Sequence, residues 1–252
     1  MPEIIILSIV QGITEFLPVS SSAHLIIISK YFNFSNENLT LDISLHLGSL
    51  LAIIIYFKKD LFDFTNNKNL FFKILISSIP VIFFGFLLVK LDLLDYLRSY
   101  KVIGWSTVIF GILLYLSDLI KVKKSLAINF TYSSALYIGI LQILSLIPGV
   151  SRSGITITAG RFLNFSRIDS TKISFLISIP TLCAVSLYNI FNLFLISDFN
   201  VSALNLTATI LSLIFSYLTI NYFFYFLKRF NLTIFVIYRI ILGIIILFYS
   251  YL

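Results

Sequence analysis

Two long apolar stretches of this chain are each broken in the middle by proline and serine, and this feature limits the possible folds more than any other. Residues 4–29 are interrupted at Pro18 and Ser20–Ser21–Ser22; residues 132–163 are interrupted at Pro148–Gly149 and Ser151–Arg152–Ser153. A helix needs about 20 apolar residues to cross the hydrocarbon of a bilayer, and no half of either stretch has them. Helix-breaking residues beside polar ones are tolerated at membrane depth only where the backbone is buried in protein or lines a wet cavity. Each stretch therefore reads as a re-entrant helical hairpin, with a kinked ordinary span as the alternative.

Six other segments come close to spanning length: about 43–57, which is short unless it begins near Leu39, 71–89, 102–120, 173–196, 203–227 and 232–250. The chain is 59% apolar and 12% charged over 252 residues, against roughly 45–50% and 25% in soluble domains, so a water-soluble domain is excluded. The expected fold is an all-α integral membrane protein of six spanning helices plus two re-entrant hairpins, a single membrane domain over residues 1–252. Cys183 is the only cysteine, which excludes an intrachain disulfide and a cysteine metal cluster. The net charge of +7 sits in short loops between apolar runs and reads as a topology signal, with no nucleic-acid partner expected. The start, Met-Pro-Glu, has neither a basic leader nor a small-residue cleavage pattern, so the first stretch is expected to be retained.

If both hairpins return to the side they entered, one side carries ten basic residues: Lys58, Lys59, Lys68, Lys121, Lys123, Lys124, Arg167, Lys172, Lys228 and Arg229. The other carries four: Lys30, Lys90, Arg98 and Lys101. The positive-inside rule places the first set in the cytoplasm and both termini outside. The first hairpin then enters from outside and the second from inside, which implies an inverted repeat. Placing Gln11 on Gln142, a shift of 131 residues, also matches Val19 with Val150, Ser20 with Ser151 and Ser22 with Ser153. Repeat one would cover about 1–120 and the inverted repeat two about 132–252. In such folds the broken tips meet near the midplane.

The tips hold the residues that can do chemistry. Gln11 and Glu15 are four apart and share a helix face. They offer an amide oxygen and a carboxylate, hard ligands suited to Mg²⁺ or Ca²⁺ if phosphate oxygens and water complete the shell. An ionisable group in an apolar stretch costs roughly 2.5–3.5 kcal/mol on insertion scales, so Glu15 must face protein or water; a structural carboxylate capping a helix or pairing with Arg152 is its alternative role. Ser20, Ser21 and Ser22 precede the helix containing His24. One of them is expected as a helix N-cap, and a hydroxyl near Glu15 and His24 is a candidate nucleophile. In the second tip, Gly149 and Gly154 permit close backbone approach, and Ser151 and Ser153 add hydroxyls. Arg152 supplies a planar fork for phosphate, the following helix offers free amides to an anion, and Thr156 lies one turn beyond.

The stretches Gln11-Gly-Ile-Thr-Glu-Phe-Leu-Pro-Val-Ser-Ser-Ser-Ala-His24 and Pro148-Gly-Val-Ser-Arg-Ser-Gly-Ile-Thr156 resemble the two signature motifs of the undecaprenyl-diphosphate phosphatases, the bacitracin-resistance family. The likeness continues through Leu41–Ser49, Phe175–Pro180 and Tyr238–Arg239. It implies hydrolysis of undecaprenyl diphosphate to the monophosphate and inorganic phosphate, which recycles the lipid carrier of cell-wall synthesis and confers bacitracin resistance. It also implies a divalent cation, a bacterial inner-membrane location and a site opening outwards. A homodimer is compatible with it. In that family the first motif begins with Glu or Gln; this chain has the Gln form, one carboxylate fewer for a metal. On that resemblance Glu15, Ser21, His24 and Arg152 are the catalytic candidates, with Ser21 or a metal-bound water as the attacking group. Ser20, Ser22, Gly149, Ser151, Arg152, Ser153, Gly154 and Thr156 are the phosphate-binding candidates. Another class of membrane lipid phosphatase uses a histidine nucleophile with a second histidine, and is disfavoured because no histidine follows His46. The remaining alternative is a transporter or flippase for a lipid phosphate or other anion. Arg239, deep in the last span, is expected to have a carboxylate or phosphate partner.

Overall fold

Long apolar runs without internal hydrogen-bonding alternatives fold as helices, because in hydrocarbon every backbone amide must be satisfied within its own segment. The computed structural model describes residues 2–32, 39–62, 68–196 and 203–252. In chain order its helices are α1 (Pro2–Thr14), α2 (Ser21–Phe32), α3 (Leu39–Tyr56), α4 (Lys58–Phe62), α5 (Lys68–Lys90), α6 (Leu94–Leu97), α7 (Tyr100–Asp118), α8 (Leu126–Asn129), α9 (Tyr132–Gln142), α10 (Arg152–Phe162), α11 (Arg167–Ile196), α12 (Ala203–Leu227) and α13 (Thr233–Tyr251). The expected outer connection between the last residues of α11 and the start of α12 lies outside the described residues.

Five helices, α5, α7, α11, α12 and α13, are long and apolar enough to cross a membrane, where the sequence reading expects six. The exception is α3: its apolar stretch is Thr40–Tyr56, its first two turns carry Asp42 and His46, and its 18 residues rise only about 27 Å. Helix α11 starts at Arg167, in a stretch expected as loop. The Ser166 hydroxyl accepts from the Asp169 amide at 3.0 Å and donates to the Asp169 carboxylate at 2.9 Å, a cap that begins the helix early.

The half-helices α1, α2, α9 and α10 hold 11 to 13 residues each, roughly 16–20 Å by the helical rise. Helix α10 is polar and small-residued, and Ser153 through Arg161 are all buried, so it is wrapped by protein. The chain feeding α9 and the chain leaving α10 meet. The amides of Lys123 and Lys124 donate to the Asn164 carbonyl at 3.0 and 3.2 Å, Asn164 Nδ2 donates to the Lys121 carbonyl at 3.2 Å, and Phe130 packs edge-on against Phe165. At the same end Asp118 accepts from Arg167 at 2.6 and 3.2 Å and from the Leu232 amide at 3.1 Å, pinning α7 to α11 and α13. In the first segment, Ile4 and Leu7 of α1 share one apolar cluster with Leu25 of α2.

Helix α12 packs on α1 and α3, α5 packs on α9 and α11, and α7 packs on α13. Small residues permit the closest of these approaches, as is usual where lipid supplies no hydrophobic drive between helices: Ser49 of α3 bonds Ser212 and Ser216 of α12 at 3.2 and 3.0 Å. The main core cluster includes Phe16, fully buried edge-on against Phe175 at 5.1 Å, which locks the first interruption into α11.

Candidate functional site

The two interruptions fold onto each other. After α1, residues 15–19 turn the chain into Ser20, whose φ is 75°. After α9 and a single 3₁₀ turn, Ile143–Leu146, the chain passes through Gly149 (φ 96°) and Ser151 (φ 70°) into α10. Left-handed backbone costs a side-chain-bearing residue on the order of 1–3 kcal/mol and persists only where the surroundings impose it. Ser20 and Ser151 are the pair that the 131-residue shift aligns, and each stands directly before a half-helix.

The imposing contacts run between the segments. The Gly149 amide donates to Ser20 Oγ at 3.2 Å and Ser153 Oγ donates to the Leu17 carbonyl at 2.8 Å. Arg239, fully buried in α13, donates from Nη1 to the Pro18 carbonyl at 3.3 Å. Its Nη2 donates to the Gly149 and Val150 carbonyls at 2.9 and 3.0 Å, and its Nε to Thr107 at 3.3 Å. Its partners are therefore backbone carbonyls, where a carboxylate or phosphate is expected from sequence. Broken helices leave carbonyls without an amide in the next turn; three of these, Pro18, Gly149 and Val150, and the Thr107 carbonyl of α7 together offset the charge.

Gly149 is needed for its lack of a side chain. A Cβ there would collide with Ser106 Oγ and lie 2.6 Å from the Ile103 carbonyl and 2.8 Å from Thr107 Oγ1, all on α7. A Gly149→Ala variant is expected to lose about 1–3 kcal/mol of stability from strain and overpacking. The check is thermal unfolding in detergent, where an unchanged midpoint would contradict this packing.

At the centre lies Glu15, buried. Its Oε1 accepts from Arg152 Nη2 at 2.5 Å, and its Oε2 accepts from Ser21 Oγ at 2.6 Å and from Gln11 Nε2 at 3.2 Å. Gln11, Glu15, Ser21 and Arg152 are thus brought together. Of these four side chains, two have a buried atom without a partner: Gln11 Oε1, an acceptor, and Arg152 Nη1, a donor. Helix α10 opens at Arg152, where the first amides of any helix lack carbonyls; Ser151 Oγ accepts from the Gly154 amide at 3.1 Å and stands 3.1 Å from Ser153 Oγ.

Other expected residues are placed at the margin. His24 Nδ1 donates to the Ser20 carbonyl at 2.7 Å, so its Nε2 accepts from the Tyr238 hydroxyl at 2.5 Å; the rings stack, 8° from parallel. Both nitrogens are thereby engaged away from Ser21. Ser22 Oγ is 3.3 Å from Ser20 Oγ. Thr156 Oγ1 donates to the Arg152 carbonyl at 2.8 Å and bonds Ser174 Oγ at 2.6 Å, so its hydroxyl is taken up by α11. A Cβ on Gly154 would stand 2.8 Å from Arg239 Nη1, so this glycine makes room for the clasp. Sequence reasoning missed the carbonyls that Arg239 gathers and the partnership of Tyr238 with His24. The only signal was an ionisable residue in an apolar span.

A divalent cation fits these donors in part. No group of three or more His, Cys, Asp or Glu side chains suited to a metal occurs among the described residues. The unpartnered oxygen of Gln11 and the carboxylate of Glu15 are nonetheless two hard donors on one helix face, and phosphate oxygens would have to complete the shell.

Residues 4–245 match the family described as bacitracin resistance protein BacA. The chain is similar to the protein named undecaprenyl-diphosphatase from Pelagibacter ubique, 48% identical over 99% of this chain and 97% of that one. It is likewise similar to the proteins of that name from Saccharophagus degradans, 38% identical over 95% and 94%, and from Campylobacter curvus, 39% identical over 97% of each.

Proposed function

The chain belongs to the bacitracin resistance protein BacA family, and from that premise we propose that its two broken segments form a single phosphatase centre. The reaction is hydrolysis of undecaprenyl diphosphate to undecaprenyl phosphate and inorganic phosphate, which returns the carrier lipid to cell-wall synthesis and underlies bacitracin resistance. The observation that carries the assignment of the centre is Glu15, which joins Ser21 of its own segment to Arg152 of the other at 2.6 and 2.5 Å.

These residues divide the work. Arg152 has one nitrogen on Glu15 and another buried without a partner; an arriving phosphate takes both, since the guanidinium fork matches two phosphate oxygens. Glu15, released from the ion pair, then acts as base for the Ser21 hydroxyl that already points at it. Ser21 Oγ attacks the terminal phosphorus, and the bond to the bridging oxygen breaks. The serine proton passes to Glu15 and from there to the departing undecaprenyl phosphate. Water next attacks the phosphoserine with Glu15 as base, Ser21 recovers its proton, and inorganic phosphate leaves. The first amides of α10 would face the phosphate oxygens, where fixed donors stabilise developing charge, and the hydroxyls of Ser151 and Ser153 hold that turn through the Gly154 amide, each other and the Leu17 carbonyl. A divalent cation, Mg²⁺ or Ca²⁺, would be held by Gln11 and Glu15 and would neutralise charge on the diphosphate.

Within the bilayer, the two broken segments are re-entrant hairpins of an inverted repeat. The meeting of Lys121–Lys124 with Asn164 and Phe165 supports a return to the entry side. The left-handed serines 131 residues apart and the equivalent contacts of α12 with α1 and of α5 with α9 support the repeat. The protein is a multi-pass membrane protein; we place it in the inner membrane with the termini and the site facing outwards. Cysteines at Lys123 and Asp92 in a Cys183→Ser background are expected to react with an impermeant reagent from opposite sides. Labelling of position 123 in intact cells would overturn the orientation.

The activity itself is tested with purified protein in detergent. Phosphate release from undecaprenyl diphosphate, with no second compartment present, is the expected result. A protein that binds the lipid and moves it across vesicles without releasing phosphate would be a flippase instead.

A further inference from the structure

Beside the first interruption lies an apolar groove of about 660 Å³. It is lined by Leu17 and Val19 of the interruption, Leu218 and Tyr222 of α12, and Ile234 and Tyr238 of α13, among others. Leu218, Tyr222 and Ile234 are more than half exposed, so the groove opens sideways, towards the surrounding lipid. Its inner end adjoins the candidate centre. Leu17 is two residues from Glu15, its carbonyl accepts from Ser153 Oγ at 2.8 Å, and the Tyr238 hydroxyl donates to His24.

We propose that this groove seats the first isoprene units of the substrate, which enters laterally from the bilayer, and that the Tyr238–His24 pair marks the boundary between chain and phosphate. The proposal rests on the phosphatase reading above. Sites of roughly 300–1,000 Å³ are mostly apolar with a few fixed polar groups, and this groove has that character at Tyr238, whose hydroxyl is fixed by His24. It accommodates only the beginning of an undecaprenyl chain; the remainder stays in lipid. Moving a prenyl unit from lipid to protein yields little hydrophobic free energy, because the tails are as apolar as leucine. The groove therefore acts by orientation. With the chain held against the first segment, the phosphate esterified to it lies on the Ser20–His24 side, and the terminal phosphate extends towards Ser21 and Arg152.

The test compares kcat/KM for undecaprenyl diphosphate and for a one-isoprene diphosphate in the parent and in Leu218→Trp, whose indole fills the groove. The preference for the long chain is expected to fall about tenfold or more, in line with what shape selection in an apolar pocket supplies. Equal losses on both substrates, or none on either, would overturn the groove assignment. Independently of any variant, a prenyl diphosphate carrying a diazirine in its second isoprene unit is expected to label residues 218, 222 or 234 of the parent protein. Labelling confined to other surfaces would also overturn it. So would labelling there by a diazirine phospholipid that undecaprenyl diphosphate does not displace, because the groove would then be an ordinary lipid seat. A parent protein that releases no phosphate from either substrate would instead refute the phosphatase reading.

Discussion

A Ser21→Ala variant is expected to release phosphate at least about 10³-fold more slowly than the parent in single-turnover experiments, since loss of a nucleophile is among the largest single lesions in covalent hydrolases. Binding of undecaprenyl diphosphate should change little, because Arg152 and the opening of α10 are untouched. The expectation follows from one contact: Ser21 Oγ lies 2.6 Å from a Glu15 oxygen, in nucleophile-to-base geometry, whereas both nitrogens of His24 are directed elsewhere. If Ser21 only donates a hydrogen bond, its removal should cost about 1–2 kcal/mol, or roughly tenfold. A variant within tenfold of the parent would therefore remove the covalent route. Glu15→Gln supplies the complementary measurement, since loss of a general base is worth about 10²–10⁴-fold.

Replacing Arg152 with lysine is expected to lower turnover by about 10²–10³-fold, the usual consequence of removing a fixed donor from developing charge. Lysine retains the positive charge and could still neutralise Glu15. It cannot present two coplanar donors to two phosphate oxygens at once, as Arg152 does when Nη1, buried without a partner, and Nη2, drawn off Glu15, both turn to the phosphate. Near-parental turnover by Arg152→Lys would make Arg152 a structural partner of Glu15 and nothing more. Measuring substrate affinity alongside separates the two, because a purely structural ion pair would reduce folded protein without reducing the rate per folded molecule.

Much of this architecture was legible in the sequence because membrane depth tolerates few polar residues, and those present must be explained. Glu15 and Arg152, each beside a helix break, marked the two tips, and the match of Ser20 with Ser151 falls on the two residues that take left-handed backbone directly before the half-helices, a conformation the match did not itself predict. Other features depended on contacts far apart in the chain. The capping of α11 by Ser166 and Asp169 shifted a helix start six residues into what reads as a loop. The rotation of His24 towards Tyr238 depends on where α13 packs, and the Thr156 hydroxyl is diverted by Ser174 on α11. None of these leaves a periodic trace. Hydropathy marked the α3 segment as short, and α3 does begin at Leu39, with Asp42 and His46 near its start.

The clasp made by Arg239 has a consequence for how the protein comes into being. It sits on α13, the last helix of the sequence, yet it ties together carbonyls that emerged from the ribosome at residue 18 and at residues 149 and 150. An arginine stranded in lipid is disfavoured by roughly 2.5–3.5 kcal/mol on insertion scales, so α13 is drawn from the bilayer onto the bundle as soon as those carbonyls are in place. Before that, the two left-handed turns lack their brace and Glu15 and Arg152 have no fixed separation. The brace on both turns is therefore absent until α13 has docked, and a chain cut before residue 239 would lack it altogether.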